Sequence, residues 1–419
     1  MSKTRWDNKR KHKQLMLIQL LIITFLLTGC WSAVEIDDMI FINALAVDLN
    51  KKGEYEITAI ISNPTTIFSQ TFVGKTGGNQ RNHFLIETSS GRTIFDAIGK
   101  ISHSLSEKIY FGHMDAVIFG EKVAREKMVS SLDYFTRGNQ FRPNIQLLVA
   151  KGKASDIIKN TPEFNTTLGL EIMDYSKPNR YATSFKITDI SQFTKVFNSR
   201  TSDAATAVII STKKVPEKEK GVKQKPGNKE PKIPLLTGID GTAVFKDSNL
   251  IGFFNQQETH GLFWIRGKMK NEVVPISCGK YNNGYVSVVI RENDSQYIPH
   301  INNKNQEITV KTTVEAEIGE ITCSSLNLNS ENIEYLNKQL EKHIKHEATA
   351  ALNKAQKQWE ADVFGFGQAI YREYPLEWNQ FASNWKNGVL KDLKVNLKVK
   401  ANLSRYGLRK DPVKENEAR

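Results

Sequence analysis

The stretch KDLKVNLKVKANL, residues 391–403, carries the clearest structural signal in the chain. From Leu393 onward every second residue is apolar, and each residue between them is lysine or asparagine. Successive side chains of a strand point to opposite faces of a sheet, so this alternation predicts a strand with one buried and one solvated face. The fold therefore needs a core that covers one side of a sheet near the end of the chain.

The residues before this strand predict a long helix over about 330–360. Ser330 is predicted as its N-cap, and an apolar stripe recurs along it at helical spacing. The stripe consists of Ile333, Leu336, Leu340, Ile344, Ala348, Ala351 and Ala355. Two further strands are predicted at 286–291 and 307–318, so the last region combines a sheet with a long helix.

The first half of the chain alternates predicted strands and helices. The strands are predicted at 39–50, 55–62, 114–119 and 145–150, and the helices at 91–105 and 121–136. The inward-facing residues of the second helix are predicted to be Val123, Val129, Leu132 and Phe135. This alternation is typical of α/β and α+β regions. For the whole chain we predict an α+β fold of mixed, largely antiparallel sheets packed with helices.

A chain of 419 residues is too long for one ordinary core, and it is expected to form two or three domains. We predict three domains, together with a leader and a tail. The predicted segments are a signal peptide at 1–29, an N-terminal α/β domain at 30–185, a middle domain at 186–272 with a Lys-rich flexible loop at 213–234, a C-terminal α+β domain at 273–408 and a flexible tail at 409–419.

The formal net charge of +13 is concentrated in two segments. Residues 1–13 carry six Lys or Arg against one Asp, and residues 213–232 carry eight Lys against three Glu. The rest of the chain is close to neutral, which removes the main electrostatic argument for nucleic-acid binding. The second segment is rich in proline and poor in apolar residues, so it is predicted to be a solvated loop. The alternative is a basic arm that contacts anionic lipid.

The N-terminus predicts an export signal that ends at a cysteine. Its basic start precedes a 14-residue apolar stretch at 15–28, which is shorter than the roughly 20 residues of a membrane-spanning helix. The stretch ends in LTGC, residues 27–30, which resembles a lipobox whose Cys30 takes an S-diacylglyceryl group and, after cleavage of the leader, an N-acyl chain. Two acyl chains give stable attachment, so we predict anchoring to the bilayer through Cys30. An uncleaved anchor and a plain secretory signal are the alternatives.

Motifs for catalysis or metal binding are weak throughout the chain. FVGKTGG, residues 72–78, has Ser69 where a phosphate loop needs its first glycine. His343, His346 and Glu347 share the predicted long helix, but their spacing is not an established zinc motif and helical geometry places His346 on the wet face. Outside the predicted leader, which contains His12, the remaining histidines have no partner at motif spacing; they are His83, His103, His113, His260 and His300.

Asp362 and the glycines of GFG, residues 365–367, predict the end of one helix and the start of the next. Besides Cys30, the chain has two cysteines, Cys278 and Cys323. They either form one disulfide in an oxidising compartment or stay as free buried thiols. We therefore predict no catalytic residue, no cofactor and no metal site.

Blocks along the whole predicted mature chain resemble the Ger(x)C lipoproteins, the C subunits of bacterial spore germinant receptors. The likeness is carried by CWSAVEIDDMIFINALAVD (30–48), ISNPTT (61–66), KIYFGHMDAVIFGEKVA (108–124), LDYFTRGNQFRPNIQLLVAKG (132–152), GTAVFKDSNLIGFFNQQETHGLFW (241–264) and QKQWEADVFGFGQAIYREYPLEWNQFASNW (356–385). The blocks follow one another in the family's order. The departure from the family pattern is the long Lys-rich insert.

The resemblance implies a non-enzymatic lipoprotein on the outer face of the cell membrane or spore inner membrane. It implies assembly with two polytopic membrane subunits of the same receptor, which bind the small-molecule germinant and trigger germination in response to nutrients. It also implies three mixed α/β domains. Two other classes remain open. A lipid-anchored solute-binding protein of a transporter would show two similar lobes around a cleft. A surface hydrolase would show a convergent acid pair or nucleophile in a pocket.

Overall fold

Two mixed sheets organise the chain. The computed structural model describes residues 12–20, 38–62, 84–160, 168–175, 177, 187–213, 235–279, 284–301, 306–323 and 326–405. The first sheet has ten strands and the second has four. Helices pack against both, which confirms the predicted α+β class.

The first sheet runs from residue 39 to residue 254. Its strands are β1 (Met39–Leu49), β2 (Tyr55–Ser62), β3 (Phe84–Gly91), β4 (Lys108–Tyr110), β5 (Ala116–Gly120), β6 (Gln146–Ala150), β7 (Thr188–Asp189), β8 (Ala205–Lys213), β9 (Leu235–Lys246) and β10 (Asn249–Phe254). The order is β10-β9-β8-β6-β5-β1-β2-β3, with β4 beside β1 and β7 beside β6. The predicted hairpin at 39–62 is confirmed as the antiparallel pair β1–β2.

The centre of this sheet is parallel, because β1, β5, β6 and β8 all run the same way. All five residues of β5 are buried, as expected for a parallel strand that is covered on both faces. The covering helices are α1 (Ile94–His103), α2 (Glu121–Glu126), α3 (Met128–Arg137), α4 (Ala154–Ile158), α5 (Leu168–Tyr175) and α6 (Ile190–Phe197). Residues of α1, α2, α3 and α6 join the core on one face, and residues of α4 and α5 join the core on the other.

The helix predicted at 121–136 is two helices rather than one. Lys127 has φ −137° and ψ 25°, which breaks the helical path between α2 and α3. The break rotates α3 relative to the continuous helix that the pattern predicted. As a result Val129, predicted to face inward, is 55% exposed, whereas Val123, Leu132 and Phe135 are buried as predicted.

The second sheet consists of β11 (Val273–Ser277), β12 (Tyr285–Ile301), β13 (Gln306–Ile321) and β14 (Lys394–Arg405), in that order. Its helices are α7 (Gln256–Ile265), α8 (Ser330–Leu352), α9 (Phe366–Glu373), α10 (Pro375–Phe381) and α11 (Leu390–Asp392). The last strand is parallel to β13, and parallel neighbours need a crossover connection. Helix α8 and the elements after it supply that crossover.

The alternating strand and the long amphipathic helix predicted for the last region are both confirmed, with one change. In β14 the lysines at 394, 398 and 400 are exposed, while the alternating apolar residues are buried or half-buried. The stripe of α8 is buried from Leu336 to Ala351. The predicted N-cap is wrong: Asn329 caps α8, and its side chain accepts from Asn332 N at 2.8 Å. Residues 353–359 continue α8 as a π-helical segment.

Strands β8, β9 and β10 belong to the predicted middle domain, yet they extend the sheet of the N-terminal region. The boundary at residues 185 and 186 therefore does not separate two sheets, and the division into three domains stays a prediction. Residues 12–20 are helical and exposed. No helix within the described ranges is long and apolar enough to cross a membrane.

Candidate functional site

A buried turn at residues 362–367 joins the two sheets, and it is built around one carboxylate. Asp362 Oδ1 accepts hydrogen bonds from the backbone N–H groups of Gly365 at 2.8 Å and Phe366 at 3.0 Å. Its Oδ2 accepts from Gly367 N at 2.7 Å and from Trp385 Nε1 at 3.3 Å. The carboxylate lies at the N-terminus of α9, where unpaired N–H groups and the helix dipole favour an anion.

Each of the two glycines in this turn is required for a different geometric reason. Gly365 adopts φ 87°, a left-handed conformation that side chains rarely tolerate. At Gly367 a Cβ atom would lie 2.5 Å from Thr201 O, so only glycine allows the two segments to approach this closely. The interpretation of GFG as a turn that starts a helix is therefore confirmed. The hydrogen bonds that the Asp362 carboxylate accepts from this turn were not predicted.

The carbonyl groups of the same turn accept hydrogen bonds from three other parts of the chain. Asp203 N donates to Asp362 O at 2.8 Å. Arg266, at the end of α7, donates to Val363 O, and Tyr297 Oη of β12 donates to Phe364 O at 3.0 Å. Because buried backbone groups need partners, these bonds tie the approach to β8, the end of α7 and the middle of β12 to one turn.

Two acids and a lysine, together with the nearby Arg266, give the junction its charge. Asp203 Oδ2 accepts from Asp362 N at 2.8 Å, and Asp203 Oδ1 lies 2.6 Å from Lys386 Nζ. Burial raises the pKa of Asp203, and the charge and hydrogen bond of Lys386 oppose that rise. Burial, with the nearby charge of Asp203, raises the pKa of Asp362 to about 6 against the pull of the three backbone N–H groups. A buried, paired set of this kind is strongly destabilised when one member is removed.

A small cavity adjoins the junction between β8, β9, α6 and α7. Its volume is about 90 Å³, and Arg266 forms part of its wall beside the polar side chains of Thr188, Gln192, Thr206 and Thr242. Burial lowers the pKa of Arg266. Typical small-molecule sites measure about 300 to 1,000 Å³, so this cavity suits a few waters better than a nutrient-sized ligand.

A second buried polar cluster lies where α7 crosses α8. Glu347 Oε2 accepts from Trp264 Nε1 at 2.7 Å, while Glu347 Oε1 lies 3.4 Å from His260 Nδ1 and 3.5 Å from His343 Nε2. Burial alone would lower the pKa of His260, but the hydrogen bond and charge of Glu347, with the charge of Glu272, raise it. His260 therefore has a partner that motif spacing did not reveal.

The two histidines of α8 differ in their exposure to solvent. His346 is exposed, as the helical geometry predicted. His343 is half-buried beside Glu347. Across the part of the chain that the structure describes, no group of three or more His, Cys, Asp or Glu could hold a metal ion.

A larger open groove of about 560 Å³ lies between α1 and α3 on the first sheet. Phe95 and Tyr134 form its apolar wall, with ring centroids 6.3 Å apart, and Asp133 pairs with Arg137 on its rim. Burial raises the pKa of Tyr134 to about 12, so its hydroxyl stays protonated at physiological pH. The groove offers no nucleophile next to a base.

Some of the remaining predicted sites lie within the residues that the structure describes, and others lie outside them. Cys278 and Cys323 are joined as a disulfide with their Cα atoms 6.5 Å apart, which decides the alternative that the sequence left open. Cys30, residues 72–78, the Lys-rich stretch from residue 214 to residue 234 and the tail at 409–419 lie outside the described residues.

Comparison with known proteins decides the family. Residues 32–211 match the model for the spore germination protein N-terminal domain, and residues 240–407 match the model for the spore germination B3/GerAC-like C-terminal domain. The chain belongs to the Ger(x)C family. In this Ger(x)C family member the first matched segment ends at residue 211 and the second begins at residue 240, and the Lys-rich insert lies in the sequence between them.

Named relatives of this Ger(x)C family member cover nearly its full length. Spore germination protein KC of Bacillus subtilis (strain 168) is 28% identical over 418 residues, which is 96% of this chain and 98% of the relative. Putative spore germination protein YfkR of the same organism is 27% identical and covers 90% of this chain and 92% of its own length. The crystal structure of the GerBC protein superposes with a TM-score of 0.54 at 18% identity, over 86% of this chain and 96% of that one. This likeness confirms the fold.

Proposed function

We propose that the chain is a lipid-anchored, non-enzymatic subunit of a nutrient germinant receptor in the spore inner membrane, needed for the assembly or signalling that triggers germination. The observation that carries the proposal is the order and extent of the family matches, which together run from residue 32 to residue 407. The relatives that cover about nine-tenths or more of this chain are named as spore germination proteins.

The polar clusters of the chain support a rigid interaction module. The acids of the junction point inward and bind backbone N–H groups, a lysine and a tryptophan, so they stabilise the joint between the sheets. A receptor subunit that holds or transmits contacts needs such a joint, whereas a hydrolase needs acids that reach a substrate. The transporter alternative gains no support either, because a ten-stranded and a four-stranded sheet do not make two similar lobes.

Anchoring through Cys30 would place this module on the outer face of the membrane, beside two polytopic subunits of the same receptor. Tethering converts a three-dimensional search into a local encounter, so interfaces that are weak in solution become occupied. We infer that the germinant itself is bound by the partner subunits. Calorimetry on the purified chain should show no binding of nutrients, and a micromolar affinity would contradict this division of roles.

Spores that lack only this chain test the receptor proposal. They are challenged with a panel of nutrients and with a non-nutrient trigger of germination. We expect the response to some nutrients to be lost while the non-nutrient response is kept, because a receptor subunit acts upstream of the general machinery. A normal response to every nutrient, in a strain without other receptors of this class, would overturn the proposal.

The variant Cys30→Ala tests the anchor, with Ser32→Ala as the matched control. Alanine lacks the thiol that forms the thioether, so we expect the chain to leave the membrane fraction and most of the nutrient response to be lost. The folded part should keep the unfolding midpoint of the unmodified chain. Membrane fractionation and germination assays measure both effects. If Cys30→Ala stays in the membrane with full function, protein contacts suffice without the lipid.

A further inference from the structure

Strand β3 forms one edge of the ten-stranded sheet. Among the described strands its neighbour is β2, with which it pairs over eight residues from Phe84 to Gly91. The outer side of an edge strand presents N–H and C=O groups that can pair with another chain, and proteins commonly blunt such edges. We therefore compare β3 with the other edge strands of the two sheets, and ask which of them have backbone groups covered by side chains or removed by proline.

The opposite edge of the same sheet is β10, and basic side chains cover its carbonyl groups. Arg125 Nη1 donates to Leu250 O at 3.2 Å, and Lys354 Nζ donates to Phe253 O at 3.0 Å. The two cations occupy acceptors that an added strand would need.

Both edges of the four-stranded sheet are protected as well. On β14, Ala401 N donates to Glu341 Oε1 at 3.1 Å and Leu403 N donates to Asn337 Oδ1 at 3.0 Å, both side chains belonging to α8. On the other edge, β11 has five residues with Pro275 in the middle, and proline has no N–H to donate. The remaining short strands, β4 and β7, have three and two residues.

Within the described residues, β3 has no comparable protection along most of its length. Lys100 Nζ donates to Ser90 O at 2.8 Å, at the end next to α1. Among the residues that the structure describes, no side chain donates to or accepts from the backbone of residues 85–89. Leu85 and Ile86 point to opposite faces and are 46% and 41% exposed. An edge of this length that carries two exposed apolar residues and lacks such protection within the described residues is the kind that accepts a further strand.

The charge on β3 indicates what the added strand carries. Glu87 is the charged residue of β3, and no described residue forms an ion pair with it. A second copy of this chain paired about a two-fold axis at residue 87 would set Glu87 against Glu87, and an axis at residue 86 would set Glu87 against Leu85. The register at residue 87 is disfavoured because like charges lie directly opposite each other. Since β3 contains no Lys or Arg, no antiparallel register of two copies of β3 sets a cation opposite Glu87.

We propose that β3 accepts an extended segment of another protein as an added strand, with apolar residues opposite Leu85 and Ile86 and a Lys or Arg opposite Glu87. Main-chain hydrogen bonds along residues 85–89 hold the segment, and the cation gives it its register. The inference concerns the sheet edge itself and does not rest on the receptor assignment. It names the side of the first sheet on which a partner binds.

Site-specific photocrosslinking in native membranes tests this proposal. The full chain carries p-benzoylphenylalanine in place of Leu85, and a matched chain carries it in place of Val129, which is also exposed but lies on α3. The crosslinked peptide is sequenced by mass spectrometry. We expect position 85 to capture one extended, apolar and basic segment of another protein, and position 129 not to capture it.

Charge reversal separates specific pairing from chance proximity. Adding Glu87→Lys to the position 85 probe should lower the capture of that segment by about fivefold to tenfold, whereas Glu126→Lys on α2 should leave it unchanged. Changing the basic residue of the captured segment to Glu should restore capture by the Glu87→Lys chain. Crosslinks confined to this chain's own residues 63–83, to a second copy or to lipid would overturn the proposal, as would capture that ignores the charge at residue 87.

Discussion

At the scale of single residues, Asp362 shows how one carboxylate organises a junction. Its two oxygens accept four hydrogen bonds within 3.3 Å, three from backbone N–H groups of its own turn and one from Trp385. Its own backbone N–H and C=O both pair with Asp203. The side chain therefore determines the path of the turn, and the backbone pairing with Asp203 sets the distance of the turn from β8.

Replacing this carboxylate by an amide should weaken the junction. In Asp362→Asn one oxygen becomes an NH₂ group that faces donors, so two of the four hydrogen bonds are lost. We expect the free energy of unfolding to fall by about 2 kcal/mol, measured by urea unfolding at neutral pH. The control Asp294→Asn, at an exposed position, should change it little. Equal stability of both variants would mean that the four donors find other partners.

His260 should make stability depend on pH. Its pKa is raised above the ordinary value of 6.5, chiefly by Glu347 against the effect of burial. The protonated form therefore stabilises the fold fully below pH 6.5, and this contribution is lost as the pH rises through the folded-state pKa. Urea unfolding across pH 5 to 9, about the titration range of histidine, should show the loss in the unmodified chain.

The matched variants for this pH dependence lie on neighbouring helices. His260→Gln should remove the decline above about pH 6.5, because glutamine does not titrate. The decline at lower pH that follows from the raised pKa of Asp362, about 6, should remain. His346→Gln, on the exposed face of α8, should retain both declines. A decline above about pH 6.5 that persists unchanged in His260→Gln would assign the pH dependence to other groups.

At the scale of elements, the crossing of α7 over α8 depends on close approach. A Cβ atom on Gly261 would lie 2.1 Å from Glu347 O and 2.8 Å from Ala351 Cβ. The helices are this close because glycine and alanine face each other at the crossing. This packing also brings Trp264 and His260 to Glu347.

Two glycine substitutions should have opposite effects. Gly261→Ala forces the helices apart, and we expect a loss of about 1 to 3 kcal/mol in the free energy of unfolding. Gly99→Ala, inside α1 with no atom within 4 Å of the new Cβ, should instead stabilise by about 0.5 to 1 kcal/mol, because alanine favours the helix. Thermal and urea unfolding of both variants measure the contrast. Stabilisation by Gly261→Ala would show that the crossing tolerates a wider spacing.

Most elements followed from periodicity, and the exceptions have local causes. The hairpin β1–β2, the long helix α8 and the alternating strand β14 lie where their patterns predicted. The break at Lys127 had no such signal, because neither proline nor glycine marks it. Because the break rotates α3, Val129 faces solvent. The apolar pattern of one continuous helix therefore gives the wrong burial for this residue.

At the scale of the whole molecule, the disulfide closes a long segment of the second sheet. It connects Cys278, after β11, to Cys323, after β13, across 45 residues of chain. Both cysteines are buried. A cross-link over a segment of this length restricts the unfolded chain, and the bond suits a compartment outside the cytoplasm.

Removing this cross-link should destabilise the chain without changing its fold. For Cys278→Ala combined with Cys323→Ala we expect a loss of about 3 to 4 kcal/mol in the free energy of unfolding, read from the urea midpoint. A reductant should lower the midpoint of the unmodified chain and leave that of the double variant unchanged. Equal midpoints for both chains under oxidising conditions would contradict a stabilising disulfide.

The order and pairing of the strands could not be predicted from local sequence periodicity. Parallel pairing of β1, β5, β6 and β8 brings together segments that are far apart in sequence. The sequence predicts that strands β8 to β10 lie in a separate middle domain that contains the Lys-rich loop. Their hydrogen bonds nevertheless continue the first sheet.

The sequence by itself determined the features that depend on neighbouring residues, namely the helices and strands from their periodicity and the turn at GFG. It also determined that the chain outside its two basic segments is close to neutral, and that successive blocks resemble one family. Only the tertiary structure decided which distant groups meet. Asp203 and Asp362 are 159 residues apart, and Trp264 and Glu347 are 83 apart. A local pattern reports which face of an element is apolar, whereas the partner of a buried charge, and the protection of a sheet edge, depend on which elements pack together.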